Sequence, residues 1–135
     1  MKGYALTLEK TIFHSQGNLF HAMKSSSEGF KGFGEAYFST VAKGEVKGWK
    51  KHLRMTLNLL VPVGKVAFTL RGEGEDDGVR VELGPDNYHR LTVEPGMWMA
   101  FEGLDEFNLL LNLADMEHDP DEVEKAPLEQ YPLSV

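Results

Sequence analysis

The stretch Gly44–Met55, GEVKGWKKHLRM, crowds lysines, a histidine and an arginine around one tryptophan, directly before the most apolar run of the chain, Thr56–Val63 (TLNLLVPV). Read as a strand, its period-two alternation puts Lys50, His52 and Arg54 on one face and Trp49, Lys51, Leu53 and Met55 on the other. The first face is basic. Nitrogen-bearing side chains that converge inside a barrel are costly to bury without an anionic partner, which points to a pocket for a negatively charged ligand. The other reading of the same residues is a solvated edge strand whose lysines discourage edge-to-edge pairing. On either reading the stretch belongs to a β structure, and the segments on both sides have strand signatures of their own.

Downstream, Thr56–Val63 is interrupted by Pro62 and closed by Gly64, a turn into a further strand over Lys65–Leu70; these two strands are expected to form the centre of the core. Gly72–Gly78 (GEGEDDG) lacks the spacing and the flanking helices of an EF-hand, so it reads as a solvated hairpin loop and not as a calcium site. Val79–Leu83 alternates, Gly84-Pro85-Asp86-Asn87 turns, Tyr88–Val93 is a strand, Glu94-Pro95-Gly96 turns into Met97–Phe101, and Phe107–Leu113 follows. Upstream, Glu35–Val41 is β-prone. Lys24–Gly34 (KSSSEGFKGFG) carries two phenylalanines that a flexible linker does not need and is expected to be an ordered loop. Tyr4–Phe13 and Leu19–Met23 read as a hairpin around Ser15-Gln16-Gly17-Asn18. The final segment, about 115–135, reads as an extended arm; Leu128, Tyr131 and Leu133 lead us to expect it packed on its own barrel or on a neighbouring subunit. Eight or more short strands with turn chemistry between them specify an all-β antiparallel sandwich or barrel.

A chain of 135 residues is expected to form a single domain, 1–135, with room for a real core. It has no cysteine, which removes disulfides, thiolate metal sites and cysteine nucleophiles and makes the cytoplasm the expected compartment. MKGYALTLEK lacks the apolar core of a signal peptide, and no later run reaches bilayer-spanning length, so a soluble protein with no membrane partner is expected. A formal net charge of −7 argues against general nucleic-acid binding, which uses a broad positive field. The acid concentrates in Glu73–Asp77 and from Asp115 onward, leaving Lys43–Arg54 locally basic.

In order along the chain, Gln16-Gly17-Asn18-Leu19-Phe20, Phe33–Thr40, Val46-Lys47-Gly48-Trp49-Lys50-Lys51-His52, Pro95-Gly96 with Trp98, and His118-Asp119-Pro120 resemble the dTDP-4-dehydrorhamnose 3,5-epimerase family. The likeness is greatest to its short members, the sugar-nucleotide epimerase and ketoisomerase cupins, and it covers nearly the whole chain. It implies a double-stranded β-helix (a cupin or jelly-roll barrel), a homodimer that exchanges strands, a nucleotide-linked sugar in the barrel mouth, and no metal or organic cofactor. Such proteins take a proton from the carbon beside a sugar ketone and return it elsewhere.

The resemblance also assigns positions. It puts Lys47 at a substrate contact, Lys50 where relatives carry the histidine base, and His52 at the second histidine of the ketoisomerase-like members. Asn112 falls at or near the tyrosine acid, and Met99 where many relatives carry histidine. A lysine ordinarily titrates near about 10.4, and lowering it to near neutral takes about 4 kcal/mol of destabilisation of the ammonium. Burial and the like charges of Lys47, Lys51 and Arg54 are candidate sources. Lys50 therefore reads either as a base or as a phosphate ligand, the commoner use of lysine. His52, whose ordinary pKa of about 6.5 needs no tuning, is the better proton shuttle, the alternative being a histidine hydrogen-bonded inside the barrel. A metal-binding cupin needs two histidines one residue apart, a glutamate and a late histidine, and only His52 of that set is present, so no metal is expected. His118 reads as structural or as a weak site candidate, and Trp49 and Trp98 as core or rim aromatics, one of which packs on a base or sugar ring if it faces the site.

The expected function is that of a metal-independent nucleotide-sugar epimerase or isomerase in surface-polysaccharide or deoxysugar biosynthesis. His52 and Lys50 carry the chemistry. Lys47, Arg54, Glu35, Tyr37, Trp98 and Asn112 bind substrate. The alternatives are a non-catalytic cupin that binds a nucleotide sugar or glycan, and a dimerising scaffold with an empty pocket.

Overall fold

The computed structural model describes residues 3–75 and 77–133; position 76 of the acidic loop and the first two and last two residues lie outside them. In chain order the strands are β1 (Tyr4–Leu8), β2 (Thr11–Ile12), β3 (Leu19–Phe20), β4 (Glu35–Thr40), β5 (Val46–His52) and β6 (Leu57–Val63). Then come β7 (Val66–Gly72), β8 (Val79–Leu83), β9 (His89–Val93), β10 (Met97–Gly103), β11 (Leu109–Ala114) and β12 (Val123–Lys125). One five-stranded sheet has the order β1-β9-β6-β11-β4 and the other β12-β5-β10-β7-β8, while β2 and β3 form a separate hairpin. The pairings are antiparallel throughout these sheets. Two such sheets packed face to face make the expected jelly roll.

Alternation places the core. Leu57, Leu59, Leu91 and Val93 from the first sheet meet Val66, Phe68, Leu70, Val81 and Leu83 from the second. A fully buried side chain of this size contributes about 1.5–3 kcal/mol. β6 and β7 sit in opposite sheets, and the turn between them crosses from one to the other. Gly64 makes that crossing with φ +86, and a Cβ there would run into the Phe107 carbonyl oxygen; only glycine satisfies both conditions. Pro62 causes no break in pairing because the β6–β11 register shifts beside it, at a bulge between Leu109 and Leu111.

β7 is buried along both faces. Its outer side is covered by the C-terminal arm, where Ala126, Tyr131 and Leu133 pack on Trp49, Trp98 and Ala100. The Tyr131 ring stands edge-on to Trp49 at 5.5 Å and tilted against Trp98 at 5.7 Å, with the Arg71 guanidinium 4.5 Å from its centroid. The Trp49 indole N–H donates to the Leu128 carbonyl at 3.1 Å. The arm thus packs on its own barrel, and β12 extends the second sheet through the pairs Val123↔His52, Glu124↔Lys51 and Lys125↔Lys50.

One local expectation needs correction. Tyr4–Phe13 is not one strand: it divides after Leu8, because Glu9 turns to bond Arg90 Nε at 3.0 Å. Arg90 itself is fully buried and also donates to Asn58, Thr92 and the Glu28 carbonyl. With Asn58 Nδ2 donating to the Gly29 carbonyl at 3.1 Å, this cluster pins the Lys24–Gly34 loop to the outside of the first sheet, as an ordered loop. No helix of the described residues is long and apolar enough to cross a membrane.

Candidate active site

Between the sheets, bordered by the arm, lies a cavity of about 720 Å³. Lys47, Lys50 and His52 of β5 all line it, although strict alternation would send Lys47 to the opposite face from the other two. The register supplies the reason. Met99 pairs with Lys50 and Phe101 with Lys47, so Gly48 and Trp49 together oppose Ala100. This β-bulge resets the phase of the strand, directing three basic side chains inward and Trp49 outward into the arm contact.

His52 is held by an acid that sequence reasoning missed. Its Nδ1 is hydrogen-bonded to Oε1 of Glu122, which sits in a single 3₁₀ turn, Pro120–Glu122, capped by the Asp119 side chain. Glu122 is 1% exposed, and its Oε2 accepts from the backbone N–H groups of Arg54 and Met55, both at 3.2 Å. Burial alone would raise its pKa, but the bonds from His52 and from the two backbone groups outweigh burial and hold the carboxyl below its ordinary range. A carboxylate at Nδ1 fixes the proton on that nitrogen and leaves Nε2 as the acceptor.

Lys125 of β12, likewise not anticipated, lines the cavity and pairs directly with Lys50 across β5. Burial, then Lys125 and Lys47, push the Lys50 amine below its ordinary value. Among the described residues none of the three lysines makes an ion pair. Lys47 Nζ rests 5.9 Å from the Phe101 ring centre. The cavity floor is apolar, with Met55, Leu57, Met97 and Met99.

The opposite wall comes from β4 and β11, where Tyr37 and Asn112 are register partners. Asn112 Nδ2 donates to the Tyr37 hydroxyl at 2.7 Å, so the phenolic hydrogen is available to the cavity. Burial raises the Tyr37 pKa against the lowering bond from Asn112, with Glu35 and Glu122 adding to the rise, and the phenol stays protonated at neutral pH. Asn112 is 3% exposed, and its Oδ1 is buried with no partner among the described residues. His118 also lines the cavity.

Three of the anticipated residues lie elsewhere. β5 ends at His52, so Arg54 follows a bend and not the alternation; it is exposed, and its NH2 bonds Asp119 at 2.8 Å. Trp98 faces outward under the arm and donates its indole N–H to Glu73 at 2.8 Å. Glu35 accepts from the His118 backbone N–H at 2.9 Å, supporting the wall without lining it. Among the described residues no group of three His, Cys, Asp or Glu side chains is arranged to hold a metal ion.

No protein-family model matches the chain, and no curated protein sequence matches it. Solved structures do. A dTDP sugar isomerase from Desulfovibrio desulfuricans G20 is 34% identical over 96% of this chain and 87% of its own, with a TM-score of 0.90. A mutant of the 3,4-ketoisomerase QdtA from Thermoanaerobacterium thermosaccharolyticum, in complex with TDP-4-keto-6-deoxyglucose, is 24% identical over 93% of this chain and 89% of its own, with a TM-score of 0.81. The dTDP-6-deoxy-D-glucose-3,5-epimerase RmlC of Legionella pneumophila Philadelphia 1, in complex with dTDP-4-keto-L-rhamnose, is 14% identical over 90% of this chain and 77% of its own, with a TM-score of 0.75. The last two share the fold. With the first, identity runs through nearly the whole chain, and on that ground the protein belongs to the dTDP-sugar isomerase and epimerase family of cupins.

Proposed function

We propose that this protein is a metal-independent epimerase or isomerase acting on a 4-keto-hexose carried by a nucleoside diphosphate. The observation that carries the reading is the imidazole of His52, locked by buried Glu122 at the wall of a cavity that also holds Lys47, Lys50 and Lys125. The cavity is of ordinary size for a small-molecule ligand. In this reading Lys47 and Lys125 bind the diphosphate as point charges, and Lys50 faces the sugar ketone. His52 Nε2 removes the proton from the adjacent carbon. Tyr37, protonated and oriented by Asn112, gives a proton back from the opposite wall. Arg54, Glu35 and Trp98 act through Asp119, His118 and Glu73 as supports of the site. The chain works as a single cupin domain in the cytoplasm and as a homodimer, for which its well exposed Leu8, Phe33 and Phe38 side chains offer apolar surface.

The test is exchange with solvent. In D2O the protein is expected to place deuterium beside the ketone of TDP-4-keto-6-deoxyglucose, and His52→Asn to abolish this while still binding the nucleotide. Tight binding without exchange would instead establish a non-catalytic nucleotide-sugar cupin.

A further inference from the structure

Lys50 differs from its two basic neighbours in where it stands. It pairs with Lys125 on one side and Met99 on the other, and side chains directly opposite each other on one sheet face have their Cβ atoms about 5 Å apart. It therefore has an ammonium on one flank and an apolar side chain on the other, over a floor containing Met97 and Leu57. No carboxylate among the described residues pairs with it. A second cation beside a lysine amine is a setting that activates it as a nucleophile; the Lys50 side chain is open to the cavity mouth and solvent-exposed, and partial burial together with Lys125 and Lys47 acts on it in that direction. His52 is two residues along the same face, about 7 Å between Cα atoms, so the two side chains reach neighbouring atoms of one ligand.

Resting on the reading that the ligand is a keto-sugar nucleotide, we infer that Lys50 forms a Schiff base with the ketone of that sugar. The Nζ lone pair attacks the carbonyl carbon, the C–N bond forms, and the carbonyl π electrons pass to oxygen, which takes up a proton. The nitrogen gives up one proton to reach the neutral carbinolamine; a further proton, from solvent, lets the oxygen leave as water while the nitrogen lone pair closes the C=N bond of the iminium. His52 Nε2 then removes the hydrogen from the adjacent carbon, and its bonding electrons move towards the iminium to give a neutral enamine. Reprotonation at carbon and hydrolysis with one water restore the ketone and free Lys50. No oxidation or reduction is involved. The iminium charge supplies the electron withdrawal for which the neutral amide of Asn112 has no acidic proton to offer.

The experiment incubates the full chain with TDP-4-keto-6-deoxyglucose and sodium cyanoborohydride, which reduces iminium ions, followed by peptide mass mapping. The expected result is one secondary-amine adduct, on Lys50, which disappears in Lys50→Arg and Lys50→Met while each variant keeps the parent's circular dichroism. Lys47→Met and Lys125→Met are expected to need about tenfold more sugar nucleotide to reach the same adduct yield on Lys50 and, at saturating nucleotide, to move the midpoint of its pH dependence upward, because each removes an ammonium beside the nucleophile. An adduct on another lysine overturns the assignment. Absence of any adduct while the sugar nucleotide still raises the melting temperature overturns the covalent role and leaves the binding reading standing. Absence of both adduct and thermal protection overturns the two together.

Discussion

Replacing Glu122 by glutamine keeps the shape of a buried side chain and removes its charge. The carboxylate accepts one bond from His52 through one oxygen and two from the Arg54 and Met55 backbone through the other. Glutamine retains a single acceptor oxygen, which serves either the imidazole or the backbone pair. One charge-assisted interaction is therefore lost, at about 2 kcal/mol. In a chain of this length that lowers Tm by about 6–8 °C. The pH dependence follows from the depressed carboxyl: its contribution is complete above the unfolded-state value of about 4.3 and disappears as pH falls through the lower folded-state value. The gap between parent and Glu122→Gln should thus close on acidification, as calorimetry from neutral pH to about pH 3 would record. Activity should suffer more than stability. With the amide nitrogen facing Nδ1, the imidazole carries its proton on Nε2 and has no lone pair for the substrate, which reduces deuterium exchange by about 10²–10⁴-fold. A Glu122→Gln protein that melts with the parent at neutral pH, or that exchanges at the parental rate, would refute the coupling of these two residues.

Lys47→Met and Lys125→Met should each weaken TDP binding about tenfold and flatten its salt dependence, measured by titration calorimetry. Tyr131→Ala removes the ring that Trp49, Trp98 and Arg71 share and should cost about 3 kcal/mol in urea denaturation. Arg90→Met leaves Glu9 and the Glu28 carbonyl without their buried donor, at about 3–5 kcal/mol; limited proteolysis should then cut within Lys24–Gly34 faster than in the parent.

The β class and most of the strands were legible because turn residues punctuate the chain and the alternation is clean in segments such as Val79–Leu83. The jelly roll itself came from the resemblance. Period-two reasoning worked for Lys50, His52 and Trp49 but failed on both sides of them. Lys47 joins the same face only through the bulge at Gly48 and Trp49, which depends on pairing with β10. Arg54 lies beyond the strand end. Glu122 had no distinguishing signal, being one carboxylate in an acidic tail; what sets it apart is burial beside a histidine 70 residues away in sequence. Lys125 was hidden for the same reason, since a three-residue strand in a proline-rich arm reaches the site only by pairing with β5. Residues whose role arises from local pattern were readable, and those whose role arises from long-range pairing were not.

A structure of the protein with TDP-4-keto-6-deoxyglucose bound tests the account most directly. We predict the diphosphate between Lys47 and Lys125, Lys50 Nζ at the ketone carbon, and His52 Nε2 within about 3–3.5 Å of the neighbouring carbon. A nucleotide sugar bound outside this cavity, or one bound within it with His52 turned away from the ring, would contradict it.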